Sequence, residues 1–266
     1  MFYNNLPRLS VDIDLVYTLI ENSDDSCNHI NQKLQILKLA FEKLGFSANI
    51  TGNKVEKKII CSNFVTSIKI EPNYTLRGTV LPPVFSDVCT SVEEKFAYAG
   101  MNLLAKDEVY AGKICAALDR QHPRDLFDIN QLYEQDGLSD TMINVFLYYL
   151  LGHNRPVHEI LNCNILDKQD VMKSEFEGMT DINFTYDQHC ATLQKLKNDL
   201  IKRLEKYYGF IIDFLQLKAD FSQSPYPEAE KLPAIQWKLH NLQVLRDKDI
   251  EKFNQQKREI DRIFNC

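Results

Sequence analysis

Several absences narrow what this chain can be. No stretch approaches the roughly 18 continuous apolar residues that a membrane span requires. The opening Met1-Phe2-Tyr3-Asn4-Asn5-Leu6-Pro7-Arg8 lacks a basic region followed by an apolar one, so it does not read as a signal peptide. The expectation is a cytoplasmic protein with no membrane partner. The seven cysteines are odd in number, widely spread and without a Cys-x2-Cys pair, which excludes a disulfide frame or a thiolate zinc site and points to reduced thiols. No His-x-His or His-Asp pair supports a histidine-based metal hydrolase. The formal net charge of -6 argues against a general nucleic-acid-binding surface while leaving room for a local basic groove. No internal repeat or low-complexity tract interrupts the chain.

What is present is an ordinary globular composition, 44% apolar and 26% charged over 266 residues, enough for one or two cores. Ile30, Leu34, Leu37, Phe41 and Leu44 recur at helical spacing, so a helix is predicted over Asn28 to Leu44, with Gly45 at its C-terminus. Extended segments follow at Ser47 to Thr51, Lys57 to Cys61 and Val65 to Glu71. In the last of these, Thr66, Ile68 and Ile70 share one face while Ser67, Lys69 and Glu71 share the other. A strand is expected at Thr79 to Leu81, and Ser91-Val92-Glu93-Glu94 predicts a capping box for a helix reaching Leu104. Helices are predicted at Tyr110 to Leu118 and Leu126 to Tyr133. Beyond Asp140 strand signals nearly vanish, and helices are expected at Met142 to Leu151, Asp187 to Tyr208, Phe210 to Ala219, Ala234 to Leu245 and Asp249 to Phe264. Leu193, Leu196, Leu200, Leu204 and Tyr208 form a core stripe on the longest. The change of character divides the chain into an α/β domain, 1–138, and a helical domain, 139–266.

The chemistry-bearing segment is Arg8-Leu9-Ser10-Val11-Asp12-Ile13-Asp14-Leu15. On a strand, Asp12 and Asp14 project from one face, and two oxygen ligands side by side can hold Mg2+ while leaving positions for water and phosphate. Glu71, beside Lys69 on a polar strand face, is a candidate third carboxylate; its ordinary reading is a solvated residue. In Lys113-Ile114-Cys115-Ala116-Ala117-Leu118-Asp119-Arg120, helical spacing puts Lys113, Ala116, Ala117 and Arg120 on one side, where the two cations could reach a phosphate. In Arg124-Asp125-Leu126-Phe127-Asp128, both aspartates could face one groove, or Asp125 could charge a helix start and pair with Arg124.

In this order, these segments, with Pro233-Ala234-Ile235-Gln236-Trp237-Lys238-Leu239-His240-Asn241-Leu242 later in the chain, closely resemble the AbiEii/AbiGii toxin family. These are nucleotidyltransferases of the polymerase-beta-like superfamily, the toxic half of bacterial toxin–antitoxin and abortive-infection systems. The resemblance implies an α+β fold: a minimal nucleotidyltransferase mixed sheet flanked by helices, then a C-terminal helical bundle. It implies metal-dependent transfer of a nucleoside monophosphate from an NTP to an RNA acceptor, tRNA included, or to a protein acceptor. Asp12 and Asp14 would be the paired Mg2+ ligands and Glu71 the third acidic residue. Ser10, Lys69, Lys113 and Arg120 would lie along the nucleotide, and Asp125 and Asp128 would form the late acidic motif, Asp125 among the catalytic residues and Asp128 on the nucleotide side. A cognate antitoxin is the expected partner.

The sequence departs from the family at one point. The family carries a Gly-Gly-Ser or Gly-Gly-Thr turn upstream of the paired aspartates, and only Met1 to Leu6 precede Pro7 here. Such a turn presents backbone N–H groups to phosphates, so the expectation is an N-terminally truncated domain with poor triphosphate positioning. Two alternatives stay open: a catalytically impaired member acting as a binding or interaction protein, and a metal-dependent hydrolase. Lys195, Lys197, Lys202, Arg203 and Lys206 could face RNA or form a solvated helix face.

Overall fold

A computed structural model describes residues 1–5, 7–9, 12–53 and 56–264. Contacts divide the chain into two compact units: Ser10–Gly78 with Lys231–Ala234, and Met1–Leu9 with Thr79–Glu230 and Ile235–Cys266. Residues 79–138 therefore group with the helices that follow, and the contact boundary lies at Gly78, ahead of the change in composition.

The smaller unit runs β1 (Asp12–Val16), α1 (Ser23–Lys43), β2 (Ser47–Gly52), β3 (Lys57–Ser62) and β4 (Ser67–Asn73). The strands form a mixed sheet of order β1-β4-β3-β2, with β1 parallel to β4 and the other pairs antiparallel. Strand alternation decides its two faces. Ile59 and Ile70 are cross-strand partners, and with Ala48 they bury against Ile30 and Leu34 of α1, flanked by Leu15, Ile50, Leu37 and Phe41.

Helix α1 begins earlier than predicted because the Asn22 side chain accepts the Asp25 N–H at 2.9 Å and caps it. Its C-terminus follows the sequence expectation: Gly45 adopts φ +86°, donates to the Glu42 carbonyl, and lets Phe46 N–H return to Phe41 O. The Phe41 and Phe46 rings meet edge-on at 6.5 Å, completing a Schellman end with its hydrophobic contact. Strand β4 starts at Ser67, not Val65, because Asn63 Oδ1 takes the N–H groups of Val65 and Thr66 into a turn.

In the larger unit, β5 (Val84–Asp87), α2 (Thr90–Lys95) and β6 (Gly100–Leu103) precede the helices. The strand expected at Thr79 to Leu81 is absent: the N–H groups of Val80 and Leu81 are instead accepted by the buried Glu108 carboxylate at 2.8 and 2.9 Å. The helix expected to reach Leu104 ends at Lys95, and β6 pairs antiparallel with β5. Its N-cap is Cys89, whose side chain does not cap the helix N–H groups, and Ser91 turns to Asn5, so the predicted capping box does not form. Gly100 permits the strand pairing, since a Cβ there would lie 2.8 Å from Phe85 and Asp87.

The bundle comprises α3 (Lys106–Arg120), α4 (Pro123–Gln135), α5 (Asp140–Leu151), α6 (Val157–Leu161), α7 (Gln169–Glu175), α8 (Tyr186–Leu204), α9 (Tyr208–Leu215), α10 (Pro233–Lys248) and α11 (Ile250–Phe264). Helix α3 packs against α4, α5, α6 and α8. Ile114, Leu118, Phe127, Phe146, Leu196 and Leu200 are fully buried among them. The leucine stripe of α8 is core as predicted, but it ends at Leu204, where a short 3-10 turn separates α8 from Tyr208 and α9. Thus a mixed sheet with a helix packed on one face is followed along the chain by a helical bundle. Among the described residues no helix is long and apolar enough to cross a membrane.

Candidate functional site

In the smaller unit, the sheet face opposite α1 carries the acidic residues. The parallel register pairs Asp12 with Lys69 and Asp14 with Glu71, so all four project to the same side. Lys69 Nζ lies 2.7 Å from Glu71 Oε2 and 3.3 Å from Asp12 Oδ2. Lys58, two residues before Ile60 and on the same face of β3, reaches Glu71 Oε1 at 3.0 Å. The Lys69 hydrogen bond, helped by Lys58, holds the Glu71 carboxyl below the ordinary glutamate range despite partial burial, and the same contact raises the Lys69 pKa.

Among the described residues no three His, Cys, Asp or Glu side chains gather closely enough to hold a metal. The chemistry of the donors nonetheless fits a hard divalent cation: Asp12, Asp14 and Glu71 offer carboxylate oxygens, and an ammonium already stands between two of them. Ser10, predicted on the nucleotide side, lies outside the described residues.

In the larger unit, α3 and α4 bring the other predicted residues together as two ion-pair groups. Asp128 receives Arg8 through two parallel bonds, Nε to Oδ1 and Nη2 to Oδ2, both 2.8 Å, and Lys113 Nζ reaches the same Oδ2 at 2.5 Å. Burial by itself raises the Asp128 carboxyl pKa, but Lys113 and Arg8 outweigh it and the net displacement is downward. Asp125 is held by Arg120, with Nε–Oδ2 at 2.6 Å and Nη2–Oδ1 at 2.9 Å. The partner considered from sequence, Arg124, is not the one used. One turn of α3 separates Lys113 from Ala117 and Ala116 from Arg120, and the α3–α4 corner turns Arg120 back onto α4. His122 caps α4, its ring nitrogen accepting the Arg124 N–H.

Gln121, in the left-handed region at φ 52°, fixes that corner. Its buried side chain donates to Asn164 O at 2.6 Å and accepts from Leu166 N at 2.8 Å, while its carbonyl lies 3.1 Å from His189 Nε2. Sequence inspection missed Gln121, and it assigned no role to Arg8 or Lys58. Nothing local marks either Lys58 or Gln121: in Lys57-Lys58-Ile59-Ile60 polar and apolar residues come in pairs and do not alternate.

The cations considered as an RNA face are largely committed elsewhere. Lys195 Nζ sits 3.8 Å from the centre of the Tyr133 ring, Lys197 donates to Cys163 O at 2.6 Å, and Arg203 bonds Leu138 O and Asp140. Lys202 and Lys206 line an open depression together with Asp140, Arg203 and Glu205.

A family model described as "Nucleotidyl transferase AbiEii toxin, Type IV TA system" matches residues 1–258. Among solved structures, MenT4, a nucleotidyltransferase toxin from Mycobacterium tuberculosis H37Rv, is similar at 14% identity with a TM-score of 0.49, over 81% of this chain and 80% of that one. No curated relative matches.

Proposed function

The chain belongs to the AbiEii nucleotidyltransferase toxin family, and from that premise we propose that it transfers a nucleoside monophosphate from an NTP to an acceptor hydroxyl with release of pyrophosphate. The observation carrying this reading is the β1–β4 register that sets Asp12, Asp14 and Glu71 on one sheet face.

Asp12, Asp14 and Glu71 would hold Mg2+, which when bound would offset charge on the α-phosphate. The acceptor oxygen forms a bond to the α-phosphorus as the bond from that phosphorus to the bridging oxygen breaks, and the bridging oxygen leaves with pyrophosphate. Glu71, a carboxylate at neutral pH with or without the Lys69 contact, accepts the hydroxyl proton. Lys69 must leave its position between Asp12 and Glu71 for a cation to enter, and its ammonium can then neutralise phosphate charge. Within the larger unit, Lys113 and Arg120 are cations able to bind phosphate, and Asp125 fixes Arg120 through its paired bonds. The acceptor class is RNA, with protein as the other candidate, and the regulatory partner is a cognate antitoxin.

The test is incubation of the full chain with each labelled NTP, Mg2+ and total cellular RNA, alongside Asp12→Ala. The variant should retain its fold by circular dichroism and lose Mg2+-dependent labelling by at least about 100-fold, the scale expected when a metal or electrostatic stabiliser is removed. Equal turnover in the variant rules out this role for Asp12. The second reading, a binding protein without catalysis, is favoured by the Lys69 ion pairs, which already fill the cation position. It predicts no Mg2+ or NTP binding by calorimetry together with tight antitoxin binding.

A further inference from the structure

The nucleotide-facing residues expected from sequence did not include Arg8, yet its side chain is the most constrained cation of the α3–α4 region. Asp128 accepts its Nε and Nη2 in a fork, and Nη1 donates to Leu9 O at 2.8 Å. The backbone on either side is tied down as well: Thr180 Oγ1 donates to Pro7 O at 2.6 Å and Leu9 N donates to Met179 O at 2.8 Å. A guanidinium has five N–H groups in a rigid plane, and these contacts use only three. Lys113 meets the same Asp128 oxygen with one of its three donors. Two cations thus share one carboxylate, leaving a surplus positive charge and unused N–H groups fixed in direction. Holding an arginine and a lysine together costs Coulomb energy that Asp128 offsets. A purely structural ion pair would need only one of them.

We propose that Arg8 is a phosphate-binding residue, acting beside Lys113 on a polyphosphate anion, and that Asp128 is the positioning residue that sets both cations. This deepens the nucleotidyltransferase reading and rests on it for the identity of the ligand, but not for the ability to bind a polyphosphate. Asp128 orders the side chains before the anion arrives, so less rotamer freedom is lost on binding. Arg8 supplies the planar fork that two phosphate oxygens can accept, and Lys113 supplies a point charge.

The experiment is calorimetric titration of the full chain with tripolyphosphate, which requires no transfer, run beside the NTP assay. Arg8→Gln should weaken tripolyphosphate binding about tenfold or more, and Arg8→Lys should recover part of the loss, since it keeps the charge without the fork. Asp128→Asn should also weaken binding in the wild-type background but have little further effect in Arg8→Gln, because it acts through the arginine. An unchanged dissociation constant in a folded Arg8→Gln protein, or no tripolyphosphate binding by the wild type, overturns the proposal. Tighter binding in Asp128→Asn overturns the positioning role, because the carboxylate would then be competing with the anion. Loss of NTP transfer by the wild type with Arg8-dependent tripolyphosphate binding intact would instead refute the catalytic reading and leave this one standing.

Discussion

Asp128 illustrates how a single side chain carries both stability and charge placement. Its folded pKa lies below its unfolded value, so its ion pairs contribute fully above the ordinary aspartate range, and that contribution is lost as pH falls through the folded pKa. Asp128→Asn should therefore destabilise the larger unit by about 2–4 kcal/mol at neutral pH, because Arg8 and Lys113 are left without their shared partner. The gap from wild type should begin to narrow once acidification passes below the ordinary aspartate range, as followed by urea melts. A gap that stays constant would mean the pairs contribute nothing.

Lys238 presents the opposite sign. Burial pushes its pKa down to about 8, and its ammonium is met by the carbonyls of His153 and Arg155, each at 2.8 Å. Between about pH 8 and the ordinary lysine value the unfolded chain holds more protons than the folded one, so stability from this group rises with pH. Wild type should gain stability relative to Lys238→Met between pH 7.5 and 9.5. Parallel profiles would show that Lys238 remains charged throughout. The neutral amine still has two N–H groups, one for each carbonyl.

At the level of elements, periodicity was the legible signal and capping the less legible one. The three- and four-residue spacing of Leu193, Leu196, Leu200 and Leu204 predicted a core stripe, and all four are fully buried. Leu200→Ala should cost about 2–5 kcal/mol in equilibrium unfolding, whereas Lys202→Ala, exposed on the same helix, should change stability by less than about 0.5 kcal/mol. Comparable losses at both sites would contradict the assignment of the stripe to the core. The errors cluster in residues 79–104, where local pattern competes with partners distant in sequence. Val80 and Leu81 look like a strand, but their N–H groups belong to Glu108; Ser91 and Glu94 have capping-box spacing, but Ser91 bonds Asn5. Both bonds span long stretches of chain, which a window of neighbouring residues does not contain.

For the molecule as a whole, the family was readable because its residues sit in short ordered segments, and the match over residues 1–258 bears it out. The mixed sheet followed by helices was readable for the same reason. What the linear order did not reveal is charge pairing. Lys58 stands against Glu71, and Arg8 against Asp128, because cross-strand register and helix packing join positions separated in the chain. The net charge of -6 accords with this pairing: Lys195, Lys197 and Arg203, which could have formed part of a basic face, are bonded to an aromatic ring, a carbonyl and a carboxylate.

The account stands or falls on whether the acidic face of the four-stranded sheet supports transfer of the α-phosphoryl group. The most direct measurement compares NTP labelled at the α-phosphorus with NTP labelled at the γ-phosphorus, with Mg2+ and total RNA, for the wild type and Asp12→Asn/Asp14→Asn. The account predicts that α-label enters the acceptor, γ-label appears as pyrophosphate, and both signals vanish in the double variant. Label entering the acceptor from the γ position, or undiminished α-transfer without the two aspartates, would contradict it.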